Sequence, residues 1–476
     1  MNFYQFIIPR LNGIDIEKDF DHYIGLVKKG IAGFIIFGGK LDTVRKGIKE
    51  FQREAKKPLI IASDLEQGLR QQIEGGTLFP PAMAIANAIA LNQKSKIKNQ
   101  KSRMLRNTFK AIALEARYAG INTIFAPVLD INTNPRNPII STRAFGDDAE
   151  TVSFFGCEMV KTFQSRGIAA CGKHFPGHGD TEIDSHIKLP FIKKDLKSLE
   201  KTELVPFRNA IRQGVKMIML GHLKVPALDS SGIPVSLSEK AVRYLRDKMR
   251  FKGVIITDAL NMGGIGKYTE EKASLIALQA GVDLLLHPTD PDRIVSYLEK
   301  KVSGIRCQVS KNQLWKKKTA SRSDPDFENH RRLSEELTRK AIKISGQIRP
   351  MKKPLLIILD DENEEGAKRR GEAFAGKFKE KFPDLRLNVT NYGSEIQNIS
   401  YPDDIFIIVA IFSKIKAWKG GPSPWLLRCI RKLENKAEIF ISFGSPYILD
   451  GVRDDITKVY AFWDSEVAQR AVAEVI

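Results

Sequence analysis

The sequence predicts an α/β fold: a (β/α)8 TIM-type barrel followed by a smaller α/β sandwich. Eight short apolar runs, rich in Ile, Val and Phe, recur over the first 288 residues. Helix-like segments separate them, and polar residues suited to chemistry gather where the runs end. Near-continuous apolar strands mark a parallel sheet buried on both faces. Eight such strands alternating with helices predict a barrel over residues 1–345, with its working residues at the C-terminal mouth.

The runs are FYQFIIP (3–9), GFIIFGG (33–39), PLIIASD (58–64) and INTIFAPVLD (121–130). IAACGKHF (168–175), MIMLGHL (217–223), GVIITDA (253–259) and VDLLLHP (282–288) complete the set. Between them, DFDHYIGLVKKG and LVPFRNAIRQG read as helices, the second closing on Gly214 as a glycine cap. After a basic, polar stretch near 306–326, FENHRRLSEELTRKAIKISG reads as a connecting helix. A second pattern fills 350–476. It runs strand PLLIILDD, helix 364–381, strand LRLNVTN, strand DIFIIVAIF and helix 424–435. Strands AEIFISFG and KVYAFW and a helix from Ser465 close it, which predicts an open α/β sandwich. No P-loop and no GxGxxG follows a strand there.

Composition narrows the partners. A chain of 476 residues exceeds one ordinary core, in keeping with two domains. No apolar run is long enough to cross a bilayer, and the opening MNFYQFIIPRLNG lacks the ordered parts of a secretion signal. A non-exported, cytoplasmic protein is expected. Cys157, Cys171, Cys307 and Cys429 are scattered without a CxxC pair, which fits free thiols in a reducing compartment. The net charge of +20 gathers at 94–110, 315–322 and 368–381. These segments carry no RNA-binding signature and no interleaved aromatics, so they predict a solvated basic surface and no nucleic-acid partner.

Asp64, Lys173, His174, His222, Asp258 and His287 all fall at or just past the end of an apolar run. A parallel barrel brings those ends together, which predicts one polar pocket. The densest segment is CGKHFPGHGDTEIDSH (171–186), which holds three of the chain's seven histidines. Metal binding is one reading of it. HExxH is absent, and Pro176 with Gly177 keeps His174 and His178 off a shared helical face. Convergence within the loop leaves metal as a minor alternative. A Ser–His–Asp triad is another, but DSH sets the three side by side and no GxSxG elbow accompanies it. The third reading is a proton-transfer pair. Asp184 and His186 stand two apart and face one way in an extended segment, so the carboxylate can orient the imidazole as a general acid. Its partner is then Asp258, a strand-end carboxylate able to attack an electrophilic carbon.

KHFPGHGDTEIDSHIKLP resembles the signature of glycoside hydrolase family 3, in particular its β-N-acetylglucosaminidase branch, and IITDALNM resembles that family's nucleophile motif. SDLEQG, FAPVLDI and STRAFGDD match in order and spacing, and ELTRKAIKISG extends the likeness weakly into the second domain. The resemblance implies a retaining double displacement without cofactor or metal. Asp258 would form a covalent glycosyl-enzyme, and His186, paired with Asp184, would serve as acid and then base. That differs from the usual pair of carboxylates. Asp64, Arg143, Lys173 and His174 fall on family positions that bind sugar hydroxyls or the N-acetyl arm. His178 receives no role, and His222 and His287 are candidates for the pocket wall. The branch leads one to expect a glycine where Gln67 stands and an arginine where Gln72 stands, with Arg70 as a stand-in. The implied activity is an exo-acting β-N-acetylglucosaminidase working on cell-wall (peptidoglycan) fragments. A β-glucosidase, a glycoside phosphorylase and a catalytically silent sugar-binding protein are the rivals. A retained Asp258 speaks against the last.

Overall fold

The computed structural model describes residues 1–89, 95–185, 187–301, 324–361, 370–393, 404–413 and 421–476, with 95–102 described for backbone alone. The chain divides into two units. The first comprises Met1–Phe79, Ser102–Asn137 and Ala144–Arg331; the second comprises Pro80–Lys101, Pro138–Arg143 and Arg332–Ile476.

The first unit is built on nine parallel strands. They are β1 (Ile7–Ile8), β2 (Arg10–Asn12), β3 (Gly33–Phe37), β4 (Ile60–Ser63) and β5 (Thr123–Ile124). The others are β6 (Ala169–Phe175), β7 (Met217–Leu220), β8 (Val254–Ala259) and β9 (Leu284–Leu286). Their order is β1-β9-β8-β7-β6-β5-β4-β3-β2. Pro9, which lacks an N–H, divides one run into β1 and β2. β1 pairs with β9 through Ile7 and Leu285, and β2 pairs with β3 through Arg10 and Ile35. The two ends of the sheet are therefore one continuous piece of chain, and the barrel closes there. The run expected over 3–9 starts later than its apolar pattern suggests. Residues 3–6 wind into a 3-10 turn because the Asn2 side chain accepts the Tyr4 N–H.

Side chains alternate across each strand, and one set fills the barrel. Ile8, Ile35, Ile60, Ala62, Phe125, Cys171, Met217, Met219, Val254, Ile256, Leu284 and Leu286 form that core. Outside it, the helix Phe20–Lys29 stops at Gly30, whose φ of 93° lets its N–H reach the Leu26 and Val27 carbonyls. The helix Leu204–Arg212 likewise ends just before Gly214, at φ 82°.

The second unit carries β10 (Lys343–Ser345), β11 (Leu355–Asp360), β12 (Arg386–Asn391), β13 (Ile407–Phe412), β14 (Ile439–Ser442) and β15 (Thr457–Tyr460). Their order is β10-β15-β14-β13-β11-β12. Only the β10–β15 pair is antiparallel. β10 corrects the sequence reading of its segment as helix throughout. The helix Phe327–Ala341 ends, and Lys343–Ser345 becomes an edge strand made by its pairing with β15. Helices Glu372–Lys381 and Glu466–Val475 cover one sheet face through Phe374, Phe378 and Val472. Helix Pro424–Leu433 covers the other through Trp425, Leu426 and Ile430. The basic run at 315–322 lies outside the described residues, as does the start of the run at 368–381.

Phe374 is fully buried, stacked on Phe378 at 5.5 Å and edge-on to Phe443 at 5.4 Å. Phe374→Ala should lower the stability of the second unit by about 3–5 kcal/mol, the usual cost of a phenylalanine-sized cavity. A denaturant titration that leaves this unit's midpoint unchanged would contradict the packing described.

Candidate active site

The alternation that fills the barrel also sets its mouth. Ile60 and Ala62 face the core, so Asp64 is the next inward residue of that strand. Cys171 faces the core, so Lys173 follows it; Val254 and Ile256 do, so Asp258 follows them. Three charged groups thus stand one step above the apolar floor.

Their geometry agrees. Lys173 Nζ lies 2.6 Å from Asp64 Oδ1 and 2.7 Å from Glu66 Oε1. The lysine side chain is 3% exposed, so its charge is kept in a dry place by two carboxylates. Asp258 is 9% exposed, and its Oδ1 accepts the Ala259 N–H at 2.8 Å. The Cys171 thiol beneath them is pushed far up by burial; Lys173 opposes the shift, while Asp64 and Asp258 add to it. All three charges are within electrostatic reach of that one sulfur. The thiol itself stays protonated and inert.

β6 runs directly into the His-rich loop. His174 N donates to Asp130 Oδ1 at 3.1 Å, and its Nδ1 lies 2.7 Å from Asp130 Oδ2. Asp130 is fully buried. Burial alone would raise its carboxyl, but the facing His174, with the hydrogen bonds from His174 and His178, holds it below the usual carboxylate range. His178 is buried too. Its backbone N–H donates to Asp130 Oδ1 at 2.7 Å, and its Nδ1 lies 2.8 Å from Thr181 Oγ1. Burial first, then the nearby His174, pushes its pKa down to about 4, so the ring is neutral at neutral pH.

Asp184 is buried, and its carbonyl accepts the N–H groups of Ile187 and Lys188 at 3.0 and 3.1 Å, closing a turn. His186 lies outside the described residues. The loop meets the far side of the mouth at Gly264. A Cβ there would come within 2.6 Å of His222 Cβ and 2.7 Å of the Ser185 carbonyl oxygen. That close approach requires glycine.

Two histidines expected in the pocket wall behave differently. His222 is fully buried, with Nδ1 2.6 Å from Ser236 Oγ and Nε2 3.0 Å from the Ala259 carbonyl oxygen. It braces the backbone beside Asp258 and offers the pocket no surface. His287, in a left-handed conformation at φ 49°, sits 5.7 Å from the Phe37 ring. Burial, then the Arg10 guanidinium, lowers its pKa to about 4, with Asp64 pulling the other way.

Arg143 falls in the second unit, at the end of the 3-10 turn Ser141–Arg143. Its Nη1 donates to the Ile139 carbonyl at 3.0 Å. Glu66 and Asp130 were given no role from sequence. Asp130 ends an apolar run just as Asp64 and Asp258 do, so the same strand-end criterion selects it. No group of three or more His, Cys, Asp or Glu suited to a metal ion occurs among the described residues.

Residues 10–318 match the Glycosyl hydrolase family 3 N terminal domain. The chain belongs to glycosyl hydrolase family 3. It is similar to the β-hexosaminidase A of Pseudoalteromonas piscicida, 35% identical over 252 residues, which are 50% of this chain and 41% of that protein. The family 3 chain thus spans less than half the length of that relative. A β-hexosaminidase of Methylobacillus flagellatus is 34% identical over 288 residues, 58% of this chain and 79% of that one. Among solved structures, the family 3 β-N-acetylglucosaminidase of Paenibacillus sp. str. FPU-7 superposes with a TM-score of 0.79 at 27% identity. It covers 100% of this chain and 95% of its own.

The depressed His287 makes a pH prediction with a definite sign. Unfolded, the ring takes a proton near pH 6.5; folded, it refuses one until about pH 4. Its contribution is complete above pH 6.5 and is lost as pH falls toward 4, by at most about 3 kcal/mol. His287→Phe should therefore flatten the decline in unfolding free energy across that window. Equal slopes for the variant and the parent, measured in urea from pH 7 to 4, would refute the assignment.

Proposed function

We propose that the protein is a retaining exo-β-N-acetylglucosaminidase that removes terminal N-acetylglucosamine through a covalent intermediate on Asp258. One observation carries the reading. In a chain belonging to this family, Asp258 stands at the end of β8 beyond the core residues Val254 and Ile256, and it acts on the Cys171 thiol together with Lys173 and Asp64 of the charged cluster. The β-hexosaminidase relatives and the β-N-acetylglucosaminidase structure support the choice of sugar.

In the first step an Asp258 carboxylate oxygen attacks the anomeric carbon. The bond from that carbon to the leaving oxygen breaks, and His186 gives its proton to that oxygen. In the second step His186 takes a proton from water, the water oxygen bonds to the anomeric carbon, and Asp258 is released. Asp184 orients the imidazole. Asp64, Lys173 and His174 bind the sugar; Arg143, a sugar-binding candidate by the family resemblance, belongs to the second unit. The anomeric carbon becomes electron-poor in both steps, so the ionised Asp258 stabilises the charge that develops there. Catalysis belongs to the barrel, residues 1–345, and the sandwich over 350–476 is an accessory domain. Cell-wall fragments carrying carboxylates are the natural substrates, in keeping with the net charge of +20. The free thiols of Cys157, Cys171 and Cys429 suit the cytoplasm.

Asp258→Ala should keep its fold and lose roughly a thousandfold or more in turnover of nitrophenyl N-acetyl-β-glucosaminide. Near-parental activity in that variant ends the assignment. Running the nitrophenyl glucoside alongside, with and without phosphate, separates the β-glucosidase and phosphorylase alternatives.

The proton donor has its own signature. A nitrophenolate leaves without help, whereas a sugar alkoxide needs a proton. His186→Ala should therefore retain glycosylation with aryl substrates, become nearly inert on disaccharides, and accumulate an adduct on Asp258 visible by mass spectrometry. Equal losses on both leaving groups with no adduct would make His186 a binding residue only.

A further inference from the structure

The segment after β5, residues 130–137, is a bed for the His-rich loop. Gly179 lies so flat against it that a Cβ would come within 1.7 Å of the Ile131 carbonyl oxygen. Asn134 N donates to the Gly179 carbonyl at 3.2 Å. Asn137 Nδ2 donates to the His178 carbonyl at 2.8 Å and to Thr181 Oγ1 at 3.3 Å. Thr133 Oγ1 reaches Asp180 at 3.4 Å, and Arg136 pairs with Glu182. At the head of this bed is Asp130, with three contacts to the loop: His174 N, His174 Nδ1 and His178 N.

The chemistry of those contacts is specific. A carboxylate can only accept, so His174 Nδ1 must carry its proton. That leaves Nε2 as the ring's working nitrogen. Among the described residues no hydrogen bond engages it, whereas Nδ1 is held by Asp130. His178 is the contrast: its Nε2 is buried with no partner, and its link to Asp130 is through the backbone. One buried carboxylate therefore aims one histidine ring and ties down the chain of the next.

We propose that Asp130 is a positioning residue for the reaction, aiming His174 at the sugar and rooting the loop that bears Asp184 and His186. The proposal rests on the glycosidase reading given above. It predicts that Asp130 acts through His174 and adds nothing at the ring once the ring is gone.

Asp130→Asn is the informative change. It keeps the size and one acceptor oxygen for the two backbone N–H groups, but its amide cannot accept from Nδ1. We expect kcat/KM on nitrophenyl N-acetyl-β-glucosaminide to fall about 10–100-fold with little change in Tm, as for other residues that orient a working histidine. In a His174→Ala background the same change should cost less than about threefold, because the two effects share one ring. Losses that multiply in full in the double variant, at parental Tm, overturn the proposal, as does a single variant of parental activity. A second measurement holds even if Asp130→Asn does not fold. Nitrogen-15 spectra of the histidine-labelled parent protein should show His174 protonated at Nδ1 at neutral pH, and a bare Nδ1 overturns the proposal. If the parent protein proves inactive on N-acetylglucosaminides, the glycosidase reading fails while these spectra still decide the Asp130–His174 contact.

Discussion

A parallel barrel offers only one layer of inward-facing side chains above its apolar floor, and everything at the mouth depends on which residues occupy it. Side chains alternate along a strand, so a one-residue slip of β4, β6 or β8 would turn that strand's charged residue, Asp64, Lys173 or Asp258, away from the mouth. The floor of Ile60, Ala62, Cys171, Val254 and Ile256 fixes that register, because exposing it would forfeit the burial that holds the unit together. The same floor keeps water from below, which strengthens every charge interaction above it. Lys173 is matched there by two carboxylates, Asp64 and Glu66, whose oxygens lie 2.6 and 2.7 Å from its ammonium, as a buried charge requires.

The loop after β6 meets a different constraint. A segment with glycines at 177 and 179 has little intrinsic order, so its shape must come from what it lies on. The residues after β5 supply that surface through backbone contact at Gly179 and side chains at Asp130 and Asn137. The opposite side of the mouth contributes Gly264 and His222, the latter tied to the carbonyl beside Asp258. The loop and β8, which carries Asp258, are thus both referenced to the barrel wall, the fixed geometry that the two-step reaction proposed above would need.

Much of this was legible in the sequence, for a physical reason. Buried parallel strands are written as apolar runs, and charged residues ending such runs have nowhere to go but the mouth; Asp64, Lys173 and Asp258 could be placed on that ground alone. What escaped depends on partners distant in the chain. β10 exists through its pairing with β15, and nothing in Lys343–Ser345 itself distinguishes a strand from the last turn of a helix. The start of the first strand was displaced by a single Asn2 cap. Arg143 lies in a short stretch that packs with the second unit, a grouping that chain order does not express. Asp130 satisfied the strand-end criterion, yet its role appears only when His174 and His178 are seen to converge on it.

The histidines carry this lesson furthest. Residue type singled them out, but partners assign their work. His222 has both nitrogens engaged, and His178 is sealed in with its pKa pushed down to about 4. His287 is depressed to about 4 beside Arg10, and His174 is locked to Asp130 through Nδ1. A general acid must hold a proton near neutral pH and give it up at the leaving oxygen. His178 and His287 lack the proton, His222 lacks a free nitrogen, and His174 is fixed to the wall at the root of the loop. These commitments are structural ones, and they agree with the proposal that proton transfer belongs to the Asp184–His186 pair instead.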